Sequence, residues 1–302
     1  MAVSLEGKLV IAISSRALFD LDESNLVFEN EGEAAYTEYQ IQHENEALAE
    51  GVAFPLIKRL LDLRHPKKNE ALVEIILISK NDPNTGLRVF NAIETYGMGI
   101  TRAAFTRGRT PYKYLQSFGA DLFLSANAED VKLALENGHA SAAIYKGSYL
   151  EQLDDAGEIR IAFDGDAVLF SDEAERVFQA DGLAAFKRHE TEKSEEPLGA
   201  GPFKSFLAAL NNLQKIFADQ REKPIRTALV TARDAPAHKR AIKTLRAWGV
   251  SVDEAFFLGG LDKAAVLESF RPHIFFDDQQ TYCLSASKVV PTGHVPSGVK
   301  NG

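Results

Sequence analysis

The chain has one cysteine in 302 residues, Cys283, which excludes an intrachain disulfide and thiolate metal sites. Its seven histidines lack the close spacing of a zinc site and read as packing or surface groups. There is no Walker-type phosphate loop and no GxGxxG, so ATP hydrolysis and dinucleotide chemistry have no motif to rest on. No uncharged run reaches the length of a membrane span, and Met1 to Lys8 lacks a basic stretch followed by a long apolar core. A cytoplasmic chain with no membrane partner is expected. Positive charge is also scarce. With 34 Lys and Arg against 43 Asp and Glu, the formal net charge of −9 suits neither nucleic acid nor an anionic bilayer.

What the chain does contain is an ordinary globular composition, 45% hydrophobic and 25% charged, able to bury a substantial core, and a repeat. Ile11 to Gly32 aligns without gaps on Ile161 to Gly182, with eight of 22 positions identical where about two are expected by chance. Val73 to Asn127 aligns likewise on Ile225 to Gln279, matching Asp82 with Asp234, Arg88 with Arg240, Gly97 with Gly249 and Phe123 with Phe275. Similar sequence in similar order implies two copies of one α/β unit. The copies part at their charged residues. Asp164 and Asp166 align with Ser14 and Arg16, Lys263 with Pro111, and Asp277 and Asp278 with Ser125 and Ala126. Only a hydroxyl is kept, Thr231 against Ser79. One active half and one degenerate scaffold half follow.

Apolar runs at 8–14, 73–79, 120–125, 159–163, 225–231, 251–258 and 273–276 read as strands. Helical patterns at 23–32, 53–63, 85–96, 128–137, 172–180, 203–219, 236–248 and 263–270 alternate with them, several closed by glycine. Such alternation implies doubly wound parallel sheets covered on both faces. The expected division is a degenerate repeat over 1–150, a linker near 146–157, a catalytic unit over 151–284 with a small helical cap inserted at about 171–224, and a flexible tail over 285–302.

In a doubly wound sheet, ligands sit beyond the carboxyl ends of the strands. Three apolar runs end there in useful groups: Ile161-Ala162-Phe163 in Asp164-Gly165-Asp166, Ala228-Leu229-Val230 in Thr231, and Ile274-Phe275-Phe276 in Asp277-Asp278. Lys263 opens the helix between the last two. Taken singly, each is an ordinary turn, strand end or surface lysine. Together, the four carboxylates Asp164, Asp166, Asp277 and Asp278 suit a hard divalent cation, Mg2+ rather than zinc. Such a cation also draws in a phosphate dianion. Asp164 is then placed to attack phosphorus, Asp166 to protonate the leaving oxygen and activate water, and Lys263 and Thr231 to steady the transition state. Ala232 and Arg233, next to Thr231, are further phosphate-binding candidates. Phe178, Phe186, Phe203 and Phe206 are candidates to stack on a base, with core packing the plainer role. Arg107, Arg109 and Lys113 form a basic loop in the first half.

These motifs resemble the haloacid dehalogenase superfamily: D-x-D at Asp164-Gly165-Asp166, a strand ending in Thr231, Lys263, and paired acids at Asp277-Asp278. Ala167 departs from it, since Thr or Val is usual there. Longer phrases, among them IAISSRALFD, GLRVFNAIETYG, RIAFDGDAVLFSDEAERVF, IRTALVTARDAP and RPHIFFDDQ, resemble the type I cytosolic 5'-nucleotidase family over most of the chain outside the tail. The resemblance implies tandem haloacid-dehalogenase-like units and Mg2+-dependent hydrolysis of nucleoside 5'-monophosphates through an aspartyl-phosphate. It also implies a cytoplasmic homo-oligomer. A phosphatase for another small phosphate ester, or a non-catalytic nucleotide-binding protein, are the alternatives.

Overall fold

The computed structural model describes residues 4–148, 157–221 and 223–301. The linker and the division at 150/151 fall largely at 149–156, outside the described residues. The strands are β1 Leu9–Ile13, β2 Phe19–Asp20, β3 Ala49–Glu50, β4 Val73–Ser79, β5 Arg102–Phe105, β6 Leu122–Ser125 and β7 Ser141–Ile144 in the first half. In the second they are β8 Ile159–Phe163, β9 Ile225–Thr231, β10 Glu254–Phe257, β11 Ile274–Asp277 and β12 Thr292–His294. Ten of them make one sheet in the order β5-β4-β1-β6-β7-β12-β11-β8-β9-β10, while β2 and β3 pair apart. The expected two sheets are therefore joined edge to edge.

Every pairing in the large sheet is parallel except β12 against β7, where Gly293 and His294 face Ile144 and Ala143. That single reversal sits where the halves meet. Consequently the strands of the first half end at one edge of the sheet and those of the second half at the other. Arg107, Arg109 and Lys113 follow β5, so they lie at the edge away from Asp164.

Parallel strands bury both faces, and alternate residues divide between them. On one face a single cluster crosses both halves, taking Leu9, Ile11 and Ile13 from β1 and Ile159, Ile161 and Phe163 from β8. Helix Phe54–Leu61 of the first half packs on β8, and helix Lys204–Ile216 of the second packs on β1. On the other face each half keeps its own cluster, around Ile76 and Phe123 in one and around Val230 and Phe275 in the other.

Local contacts recur. Arg88 Nη1 donates to Gln40 Oε1 and its Nε to the Glu46 carbonyl; Arg240 Nη1 donates to Glu190 Oε1 and its Nε to the Glu196 carbonyl. Gly32 and Gly182 turn the chain at φ of 87° and 77°, breaking a helical stretch in each half. The span 171–224 is thus matched in the first half by helices Asp22–Glu31, Glu33–Gln42 and Phe54–Leu61 and is no insertion peculiar to the second. Within it helix Glu173–Glu192 carries Glu190 to Arg233, just beyond the end of β9. Helix Lys204–Ile216 is core, with Phe203 and Phe206 against Phe163 and Phe276.

Residues 285–301, expected as a tail without structure, are folded onto the sheet. Helix Gln280–Ala286 leads to β12, and Val290, Thr292 and Val295 are fully or nearly fully buried. Its small residues fit because Gly293 passes over Phe276: a Cβ there would lie 2.9 Å from that ring. Composition suggested disorder, but pairing with both β7 and β11 overrides it.

Candidate active site

Strand β8 delivers Asp164 to the sheet edge between β9 and β11, and its amide donates to the Phe276 carbonyl at 2.8 Å. Gly165 follows because a Cβ there would come within 3.0 Å of Thr231 Oγ1. Ala167 then adopts φ of 59°, a left-handed position that a β-branched residue resists.

Lys263 is 1% exposed, and its Nζ donates to Asp164 Oδ1 and to Asp277 Oδ2, both at 2.6 Å. Burial would strip its charge, but Asp164 and Asp277 outweigh that and hold its pKa above the ordinary lysine value. The Nζ also lies 4.4 Å from the Tyr282 ring centre. Asp277 accepts a further bond from the Gln279 amide.

Asp164, Asp277 and Asp278 each offer an oxygen within 4.8 Å of the others, and all three are buried. Burial raises the Asp164 carboxyl to about 7 against the pull of Lys263. Burial, with Asp164 and Asp277 beside it, pushes Asp278 up to about 9. Among the described residues Asp278 Oδ1 has no hydrogen-bond partner. A buried, unpartnered carboxylate oxygen beside two more carboxylates fits a hard cation with oxygen ligands.

Asp166 stands apart from that trio. Arg233 grips it as a fork, Nε to Oδ2 at 2.8 Å and Nη2 to Oδ1 at 2.6 Å. Arg233 Nη1 bonds to Glu190, and Glu190 bonds in turn to Arg240 at 2.8 Å. Burial alone would raise Glu190, yet the two arginines hold its carboxyl below the usual range. Arg233 is thus a buried ion-pair residue rather than a surface one. Thr231 is buried, its Oγ1 accepting from the Arg233 amide at 3.3 Å, and Ala232 is half-buried between them.

Three residues not singled out from sequence support this site. Glu190 orders Arg233, while His294 Nε2 and Asn301 Nδ2 both lie within bonding distance of the Asp278 carbonyl, at 3.0 and 2.8 Å. Two of them lie in the supposed tail. For Glu190 a signal existed: Gln40, at its aligned position, faces the matched Arg88. Phe186 lies over the Arg233 guanidinium at 5.9 Å, and Phe178 is half-exposed against it.

Fold and site together define an α/β protein with a lysine-bridged carboxylate centre at the strand ends of its second half. A family model described as 5'-nucleotidase matches residues 1–302, and the chain belongs to that family. Over 295 residues it is 40% identical to "Cytosolic 5'-nucleotidase 1B" of Homo sapiens, covering 94% of this chain and 48% of the relative. The chain therefore spans about half the length of that curated relative. No solved structure matches it.

Proposed function

We propose that this chain is a Mg2+-dependent 5'-nucleotidase that hydrolyses nucleoside 5'-monophosphates to nucleoside and phosphate in the cytoplasm. The observation carrying this reading is Asp164, held by Lys263 at 2.6 Å beside the unpartnered Asp278 oxygen. Asp164, Asp277 and Asp278 are the residues to hold Mg2+, which when bound offsets their charge and attracts the phosphate dianion.

An oxygen of Asp164 attacks phosphorus, forming a new P–O bond as the bond to the ribose 5' oxygen breaks. Asp166, an ion pair with Arg233 in the free protein, enters this step after taking up a proton and gives that proton to the leaving oxygen. Water then attacks phosphorus while Asp166 takes a proton back, the acyl-phosphate bond breaks, and Asp164 is restored. Lys263 and the Thr231 hydroxyl offer positive charge and a donor to the phosphoryl oxygens. Arg233 fixes the orientation of Asp166.

The strand orders of the two halves, with the recurring Arg88 and Arg240 contacts, support the reading that one unit was duplicated. The test is phosphate release from a panel of nucleotides and sugar phosphates, with and without Mg2+. Nucleoside monophosphates should be preferred, and Asp164→Asn should lower turnover by about a thousandfold or more. Faster release from sugar phosphates than from every nucleotide would reject the reading.

A further inference from the structure

The first half contains a cavity of about 470 Å³ at the carboxyl ends of β1, β4 and β6. It opens at the sheet edge opposite the candidate active site, so it is a separate compartment. Its floor is made by residues aligned with that site, and the substitutions follow one direction. The four carboxylates of that site are gone here: Ser14, Arg16, Ser125 and Ala126 stand for Asp164, Asp166, Asp277 and Asp278. Asn81 stands for Arg233. Where the second half pairs a carboxylate with an arginine, the first half sets an arginine beside an amide.

That change leaves donors without acceptors. Tyr36 Oη donates to Asn81 Oδ1 at 3.2 Å, which fixes the amide and leaves Asn81 Nδ2 buried with no partner among the described residues. Arg16 uses Nη2 on Asp22, while its Nε is buried and has no partner among the described residues. Lys80 and Arg107 bring the cations of the lining to three. The acids of the lining have partners of their own: Asp82 caps helix Pro83–Thr95, Asp130 faces Lys80 at 2.9 Å, Glu33 faces Arg107 at 3.7 Å, and Glu29 accepts from Asn25. Unmet buried donors cost stability until an acceptor arrives. On the outer side Phe28 and Tyr36 meet edge to face, 5.8 Å apart, and Phe28 is about half exposed.

We propose that this cavity is a second ligand site, one that binds a phosphate monoester bearing an aromatic ring, without metal and without hydrolysis. Arg16, Asn81 and Ser79 take the phosphate, and Phe28 with Tyr36 takes the ring. With none of the four carboxylates that gather at the other site, this one binds and does not turn over. The inference does not depend on the activity of the other half.

The test is calorimetry on the full chain in EDTA, with a nucleoside 5'-monophosphate, the matching nucleoside and inorganic phosphate as probes. The monophosphate should bind at least about tenfold more tightly than either fragment, and Arg16→Ala should weaken it by about tenfold or more. Asp278→Ala, in the other half, should leave that affinity within about twofold. Because Arg16→Ala also loses the Asp22 pair, hydrogen exchange on the unaltered chain provides an independent reading. Protection on adding the monophosphate should appear at 14–16 and 79–82. No binding in EDTA, or protection confined to 164–166 and 231–233, would overturn the proposal.

Discussion

Replacing Asp278 by Asn examines the cation site through stability instead of turnover. The Asp278 side chain is 2% exposed, its Oδ1 has no partner, and two more carboxylates lie within 4.8 Å. Burying such a charge without compensation costs several kcal/mol. Its carboxyl is raised from 3.8 to about 9 in the fold. Because the folded value exceeds the unfolded one, its stabilising protonated form is fully present below pH of about 4 and is lost as pH rises towards 9. At pH 7 the gap above the unfolded value is about three units, or roughly 4 kcal/mol at about 1.4 kcal/mol per unit. The nearby Lys263 charge absorbs part of this, so Asp278→Asn should stabilise the metal-free protein by about 2–4 kcal/mol. For a chain this long that is a melting temperature about 3–6 °C higher. The assay is thermal unfolding in EDTA and in Mg2+. Wild type should gain about 2.7 kcal/mol at a hundred times its dissociation constant for Mg2+, and the variant little. If the variant melts at or below wild type in EDTA, the carboxylate already has its partner within the fold, and the cation site is refuted.

Lys263→Met should leave Asp164 and Asp277 facing each other without their bridge, lowering the urea-unfolding free energy by about 3–5 kcal/mol. Arg233→Lys keeps a charge but not the fork on Asp166; kcat should fall by about ten- to a hundredfold while the melting temperature moves only a few degrees, both measurable on one preparation. Asn301→Ala removes a donor from the Asp278 carbonyl and should weaken Mg2+ binding by about tenfold in a titration, an effect the assumption of a flexible tail would not give. His273 is held neutral near 3 by burial and by Arg59 and Arg160, and its Nδ1 accepts from the Arg160 amide. With the folded value below the unfolded 6.5, this contribution is full above pH 6.5 and is lost as pH falls towards 3. Between pH 7 and pH 5 wild type should lose about 2 kcal/mol more in denaturant titrations than His273→Asn does.

The strands that carry the site were legible residue by residue. Val73–Ser79 and Ile225–Thr231 have the bounds that their apolar runs suggest, and every residue in them but Arg226 is buried. Asp164, Thr231 and Asp277 were placed correctly at strand ends, because a run of buried residues stops where its first polar side chain meets the sheet edge. Short strands were harder. Ser141–Ile144 and Thr292–His294 have three or four small or polar residues each, too few to show a period.

By itself, then, the order of residues determined an alternating α/β chain, its internal likeness, and the edge at which Asp164, Lys263 and the Asp277-Asp278 pair gather. Only the tertiary structure decided that the halves fuse into one sheet through a reversed β7–β12 pairing, which sends their two clefts to opposite edges. It also decided that Asp166 faces Arg233 instead of the carboxylate trio, and that residues near 294 and 301 hold Asp278 in place. The physical reason is range. Burial and period are properties of neighbours along the chain, whereas strand direction and ion-pair choice are settled by groups tens or hundreds of residues away that meet only when the core closes.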